Sequence, residues 1–434
     1  MASQEQRHRA LSRKAHFVAL ISMILCLVVA IAAAQAQAKK ADTPAPTCNK
    51  VGIVTVCPSF STVKVSFTTP KPTSASVSTS MDKSFGLTVL DKRVKKVHSI
   101  TVPENPGKTY NIKVVATPSK GKPSTYLGSF QTGAIGSMPA TVTTLNGKFL
   151  LNGVPFFPIV AQTGSCLDAT WVNALVGMGV NALQDARGCS TDTTAWSNEL
   201  DPLLKNLAWV YGSKPDTAQY LQAVPEFLTW QAHLRLLQNP LSLVSCDSSF
   251  ASSKPLYVAV KNSAKKGPTM FTVLAVGQIT PSSRLFCLDG AGMKNLFFIS
   301  IIGGVKALDL FTFIPVTGAM DVKSDVSQAA AQAAACMDTI GPAILNGKPV
   351  TVKFDPKGQV VASAWLYGGV TYVITANTEK TATSSSLSVP SLIKATTATT
   401  LCEPLKTIKL SRGSITGNYG PLGVHIYKVL PTKA

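Results

Sequence analysis

Several stretches of this chain are predominantly apolar, and most are set off from one another by helical patterns. The runs are the end of GKFLLNGVPFFPIVAQ (147–162), NALQDA (181–186), LAWVYG (207–212), LYVAV (256–260), MFTVLAV (270–276) and VKALDLFTF (305–313). A strand with one wet face alternates apolar and polar residues, whereas an unbroken apolar strand needs cover on both faces. Parallel sheets with helices crossing over them supply that cover. Helical spacing is expected over 168–178, 193–206 and 217–238, the last broken or restarted at Pro225, and HLRLLQNPLSLVSCD (233–247) reads as a helix running into a strand. Leu296–Ile302 is too short to span a bilayer and reads as a buried helix. From Val322 to Ile340, the residues Val322, Val326, Ala329, Ala330, Ala333, Cys336, Met337 and Ile340 share one helical face, with Lys323, Ser324, Gln328 and Gln332 elsewhere.

Both flanks read differently. Between Gly52 and Thr132 short alternating segments are split by Pro, Gly and Ser turns: VKVSF (63–67), SASVST (74–79), LTVL (87–90), HSITV (98–102), YNIKVVA (110–116) and YLGSFQT (126–132). Such spacing predicts an antiparallel sandwich. The order VSFTTPKPTSASV, KVHSITVPENPGKTYNIKVVA, GSFQTG resembles a fibronectin type III domain, and Tyr110 stands where that family carries its corner tyrosine. After the amphipathic helix, WLYGGVTYVITANT (365–378), SLSVPSL (386–392) and YGPLGVHIYKV (419–429) predict a second all-β unit.

The hairpin at 147–162 and the strand–helix alternation after it resemble the entry and body of glycoside hydrolase barrels, and the β tail resembles their terminal sandwich. The fold expected is therefore multidomain. It comprises a signal peptide (1–38), a linker (39–47), a fibronectin type III-like β-sandwich (48–134), a glycoside hydrolase-like (β/α) barrel (141–345) and a C-terminal antiparallel β-sandwich (346–432). Seven staves are countable, so the barrel is expected to be incomplete; about 205 residues is near the lower limit for eight.

Arg7, Arg9, Arg13 and Lys14 precede an apolar run from Phe17 to Ala34, and small residues follow it. This is the pattern of an export signal, with an uncleaved anchor at 17–34 as the alternative. The expected location is extracellular or in the cell wall, with no membrane span once the signal is removed. The chain carries 41 Lys and Arg against 21 Asp and Glu, a net +20. That excess favours anionic partners such as acidic polysaccharide. Without an arginine stripe or a nucleic-acid module, no nucleic acid is expected. Cys26 lies in the leader; the other eight cysteines form an even set, which after an export signal suggests disulfides, with Cys48–Cys57 and Cys166–Cys189 the nearest pairs in sequence. Free buried thiols are the alternative. A monomer is expected.

Glycoside cleavage needs two carboxylates, and barrel enzymes place theirs at the carboxyl ends of strands. That rule selects Asp185, Asp216 and Asp247, with Asp289, Asp309 and Asp321 as further candidates. Asp185 could hold a sugar hydroxyl or pair with Arg187, and Asp216 could equally cap a helix. In barrels of this kind the strand matching LAWVYG commonly delivers its acid in an Asp-Glu-Pro-Asp run. Pro215 and Asp216 fit that run, but Ser213 and Lys214 occupy the positions of its two acids. An ammonium group cannot donate a proton to a glycosidic oxygen and then act as a carboxylate base. The resemblance thus implies a sugar-handling scaffold with weak, altered or lost catalysis, or a non-catalytic glycan-binding or wall-associated protein. Trp209, Tyr211 and Lys214 are its candidate binding residues; Trp171, Trp230 and Tyr257 are further aromatics that core packing explains equally well. No cofactor or metal is expected. Past the leader only His98, His233 and His425 remain, too few for the two-metal phosphatases that also carry a fibronectin-like domain. No serine-nucleophile elbow, phosphate loop or dinucleotide fingerprint is present.

Overall fold

The computed structural model describes residues 49–431 except 52–53, 60–61, 105–107, 134–141, 146–147, 152, 164–165, 168, 189–208, 214–218, 222–251, 265–269, 275–277, 281–282, 285–288, 314–324 and 354–357. The first six strands are β1 (Asn49–Val51), β2 (Val54–Pro58), β3 (Thr62–Ser80), β4 (Leu87–Pro103), β5 (Thr109–Pro118) and β6 (Ser124–Gln131). All pairings are antiparallel, in the order β1-β2-β3-β5-β6 with β4 on β3. Four expected short strands are really two long ones. The first half of β3 pairs with β2 and its second half with β5, while β4 follows it along its length. The change of partner falls at Pro70-Lys71-Pro72, where prolines remove two ladder donors and the register shifts. Alternation then decides the core: Val63, Val65, Phe67, Ala75 and Val77 are buried with Ile112, Val114 and Phe130.

A small sheet follows, β7 (Val142–Leu145), β8 (Lys148–Leu151) and β9 (Val154–Phe156), matching the expected entry hairpin. Phe149 and Phe156 face each other across it, edge to face with centroids 6.5 Å apart.

Next come β10 (Ile159–Thr163), β11 (Cys166–Leu167), α1 (Ala169–Gly177), β12 (Ala182–Gly188), β13 (Trp209–Ser213), β14 (Gln219–Leu221), α2 (Lys254–Ala264), β15 (Met270–Leu274), β16 (Gln278–Thr280), β17 (Ser283–Arg284), α3 (Gly290–Gly303), β18 (Ala307–Phe313) and α4 (Asp325–Asn346). Five strands run parallel in the order β13-β12-β10-β18-β15. The first strand of the unit therefore lies between the second and the last. Doubly wound sheets place a middle strand beside the first; first-beside-last is the neighbour relation that closes a barrel. The sheet is a curled half-barrel. Its helix side holds Ile159, Ala161, Leu183, Leu308 and Leu310, which share one core with Leu175 of α1, Phe297 of α3 and Ile340 of α4. Val160, Ala182 and Ala307 point the other way and are buried as well, as the predominantly apolar runs require.

Two expectations fail here. LYVAV forms helix α2, not a stave. Leu256, Tyr257 and Val260 are buried at i, i+1 and i+4, Val258 is 47% exposed, and Lys261 donates to the Tyr257 hydroxyl one turn back. Ser252 Oγ accepts from the Lys254 amide, and Pro255 sits in the first turn, where it needs no donor. The helix expected from residue 217 is interrupted as well: 219–221 form β14, antiparallel to β13 (Tyr211↔Leu221, Ser213↔Gln219). Three residues with local helix propensity yield to an open sheet edge. The strand expected within 233–247 lies outside the described residues.

Helix α3 is apolar on nearly every side because it packs on α2, on α4 and on the final β unit. Asp289 caps its first turn by accepting from the Gly292 amide at 2.7 Å, and Gly304 ends it at φ 110°. The amphipathic face expected for α4 is the one buried, and the helix runs on to Asn346. Gly179 closes α1 at φ +86°, and a Cβ there would lie 2.6 Å from that of Ala334 on α4.

The last unit comprises β19 (Lys348–Val350), β20 (Val360–Tyr367), β21 (Val370–Asn377), β22 (Thr383–Ser388), β23 (Thr397–Leu401), β24 (Thr407–Lys409), β25 (Ser414–Tyr419) and β26 (Val424–Val429). One antiparallel sheet has the order β19-β20-β21-β26-β23-β24, and β22 pairs with β25. Alternate residues of β21 serve two cores: Tyr372, Ile374 and Ala376 join the core of α3, and Val373 joins that of the unit itself. A disulfide, Cys336–Cys402, fastens α4 to this unit. It is a long-range bridge that proximity in sequence does not suggest. Cys57 is disulfide-bonded too; Cys48 and Cys189, in the two expected pairs, lie outside the described residues.

The N-terminal β unit is tied to the last one. The Thr88 amide donates to the Tyr372 hydroxyl at 2.8 Å, the Leu90 amide to Gly368 O at 2.8 Å, and Lys428 Nζ to Phe85 O at 2.7 Å. Glu104, just past the end of β4, is buried; burial pushes its pKa up to about 8, against the opposing effect of the nearby Thr79 hydroxyl and with a smaller push from Asp338.

Candidate functional site

In a parallel sheet, residues paired in register share a face, so the backbone alone sorts the candidate positions. One register row runs Thr272, Asp309, Val160, Ala182, Trp209. Val160 and Ala182 are fully buried outside the helix-packed core, so this row belongs to the face turned away from the helices. The next row on that face, two residues toward the carboxyl ends, contains Leu274, Phe311, Gln162 and Gln184. Position 211 follows 209 on the same face of β13 by strand alternation. By register, positions 162, 184, 209, 211, 272 and 309 fall on the helix-free face.

Asp185 lies at an irregularity. Leu183 pairs with Val210 and Ala186 with Gly212, so Gln184 and Asp185 together stand opposite the single residue Tyr211. This is a bulge, a device that re-aims side chains near the mouth of a sheet. It places Asp185 and Tyr211, both singled out from sequence, beside each other on neighbouring strands. Beyond the bulge Arg187 pairs with Ser213, the last residue of β13. Lys214 and Asp216 fall in 214–218, the link from β13 to β14, and Asp247 falls in 222–251; all three lie outside the described residues, as does Asp321. Asp289 is the cap of α3 and leaves the candidate set. Tyr257 leaves it too, buried in α2 beneath Lys261, whose Nζ is 5.3 Å from the ring centroid.

Gln162, Gln184 and Thr272 were not legible as site positions. Thr272 is one polar residue inside an apolar run, Gln162 and Gln184 end theirs, and only register shows that the three fall on one face with Asp309. The carboxylate positions 185 and 309 lie on β12 and β18 with β10 between them; Asp309 is in register with Ala182, three residues before Asp185, so the two positions are about 10 Å apart across the sheet and about 14 Å apart in all.

The two described histidines are engaged. His98 is fully buried, with Nε2 2.9 Å from Thr73 Oγ1, Nδ1 3.4 Å from Asp91 Oδ2, and its ring stacked on Phe67. His425 Nδ1 contacts Glu403 at 3.0 Å, and the hydrogen bond to that carboxylate raises its pKa against the opposing effect of burial. Among the described residues no group of three or more His, Cys, Asp or Glu is placed to hold a metal ion, and no helix is long and apolar enough to cross a membrane.

No protein-family model matches the chain, and no curated protein does. Solved structures similar to it include a GH30 endoxylanase from Clostridium papyrosolvens (13% identity, covering 67% of this chain and 98% of that one, TM-score 0.34). A candidate alpha-galactosidase from Bacteroides fragilis is similar at 10% identity, covering 89% and 98%, with TM-score 0.37. An alpha-amylase from Geobacillus thermoleovorans is similar at 10% identity, covering 61% and 62%, with TM-score 0.35. These similar structures are glycoside hydrolases. The half-barrel rests on its strand order.

Proposed function

We propose that this is an exported carbohydrate-active protein on a scaffold of glycoside hydrolase ancestry, with catalysis weak, altered or lost. One observation carries the reading. The strand that in such barrels hands an acid to the cleft ends here at Ser213 and turns back as β14, with Lys214 and Asp216 in the link. A lysine at the acid position, in the link of a β-hairpin, supports binding over proton transfer. The amides and aromatics of the helix-free face suit sugar hydroxyls and the apolar faces of sugar rings.

The organisation that goes with this function is a signal peptide (1–38), a linker (39–47), a fibronectin type III-like module (48–134), the barrel (141–345) and the terminal sandwich (346–432). The pairing of β3 with β2 and the end of β4, then with β5 and the start of β4, supports the module. So does Tyr110, buried at the start of β5 and stacked on Phe130 at 5.6 Å. The second reading is a non-catalytic glycan-binding or wall-associated protein in which Trp209, Tyr211 and Lys214 line the site.

The test pairs hydrolysis with binding on neutral and acidic polysaccharides. Retention without appreciable release of reducing ends is expected, with retention weakened about tenfold in Trp209→Ala. Brisk turnover abolished by Asp185→Asn, Asp216→Asn or Asp247→Asn would overturn lost catalysis. Failure to retain any glycan would overturn the proposal.

A further inference from the structure

The bend of the N-terminal β unit carries a concentration of charge that the sheet site does not use. On β4, Lys92, Arg93 and Lys96 are exposed and Lys95 half-buried; Lys71 is exposed on the matching bend of β3. Beneath them runs a buried polar relay. Asp91, its side chain 9% exposed, accepts from the Arg93 amide and Nε (both 3.3 Å) and from Lys95 Nζ (2.8 Å), and contacts His98 Nδ1. His98 Nε2 meets Thr73 Oγ1, which is 3.3 Å from Thr69 Oγ1. Thr69 donates to Lys71 O at 2.7 Å and approaches Lys96 O at 3.3 Å. One chain of contacts thus fixes both bends and two of the cations. Burial works to raise the Asp91 pKa, but the bonds from Lys95, Arg93 and His98 outweigh it and hold the group at about 2. Asp91 therefore stays ionised across any ordinary pH.

From the relay and the five cations above it we propose that this bend is a second binding site, for an acidic polysaccharide bearing repeated carboxylate or sulfate groups. The outer edge of β4 meets Gly368 at Leu90; beyond it, among the described strands, β4 pairs only with β3, so a polymer can lie along the edge at 92–97. Lys92 to Lys96 spans at most about 13 Å, the length of four extended residues, enough to meet more than one anionic group at once. The two exposed apolar residues there, Val94 (58%) and Val97 (65%), are small and separated by lysines, which favours a hydrated polymer over a bilayer. The inference rests on the proposed function only in naming the polymer a glycan.

The mature protein is passed over immobilised polygalacturonate, its methyl-esterified neutral form, and vesicles containing phosphatidylserine. Retention on the acidic polymer alone, lost with added salt, is expected. Lys92→Glu with Lys96→Glu should weaken it at least about tenfold while leaving the melting temperature and neutral-glycan binding unchanged. Asp91→Asn is the sharper variant. It removes a negative charge, so charge counting predicts tighter binding, whereas loss of the organising carboxylate predicts about threefold weaker binding. Lysines on an edge strand can also serve only to repel other strands. In that case the double variant, whose edge remains charged, binds the acidic polymer as wild type does, and the proposal fails. It fails equally if Asp91→Asn binds as well or better, or if vesicles retain the protein and the double variant loses them. Failure of Trp209→Ala to affect neutral glycan would count against the sheet site and leave this one standing.

Discussion

Three apolar runs of similar texture meet three different fates. MFTVLAV gives β15, a parallel stave; VTYVITAN gives β21, antiparallel and buried at every position; LYVAV gives helix α2. The contrast between the half-barrel and the terminal β unit shows what such a run reports. It reports cover on both sides, which β21 has because a second sheet lies on one face and α3 on the other. Direction is set by the connection: Gly368-Gly369 turns β20 straight back into β21, whereas α3 carries the chain from β15 over the sheet to β18.

The largest expected effect comes from breaking the tight connection. Gly368 holds φ +56°, and a Cβ there would lie 2.8 Å from the Val89 Cα. Gly368→Val should cost about 3 kcal/mol or more, read by denaturant unfolding; a loss under 1 kcal/mol would mean the hairpin does not set β21. Next is Cys336→Ser with Cys402→Ser, which opens a link between residues 66 apart and should cost about 2–4 kcal/mol without moving the secondary-structure spectrum.

Third is the acid at the junction of the two β units. The Glu104 carboxyl titrates near 8 folded against 4.5 as an unperturbed side chain. The folded chain therefore holds a proton that the unfolded chain releases, so stability falls as pH rises through that window. Glu104→Gln should flatten the fall in melting temperature between about pH 5 and 8; an unchanged slope would remove Glu104 as its source. Tyr372→Phe, losing the bond from Thr88, should cost about 1 kcal/mol. The smallest effect is the most diagnostic of LYVAV. Val258→Ala, on the exposed side of α2, should change stability by no more than a few tenths of a kcal/mol and in the stabilising direction, since alanine is the better helix former. A loss above 1 kcal/mol would place position 258 in a core.

Much of the fold was legible because period and punctuation agreed. Val326, Ala333 and Ile340 announce the buried face of α4, and the Gly pair after Tyr367 announces a hairpin. LYVAV misled because five residues cannot separate a strand from a helix by periodicity alone; Ser252, Pro255 and Lys261 carried the helix signal. The β13 edge misled in the other direction, since pairing of 219–221 depends on a neighbour that no local pattern reveals. At the site, aromatic spacing on LAWVYG was readable, but the row formed by Gln162, Gln184, Thr272 and Asp309 exists only once four strands are laid in register.

The bonds from Thr88, Leu90 and Lys428 across the two β units change what cutting the backbone would do. A nick between residues 134 and 141 severs the sequence without undoing Tyr372, Gly368 or Phe85 as meeting points. Both fragments should travel together through a sizing column, and expressing residues 48–134 alone would bare a surface that in the intact molecule never meets solvent.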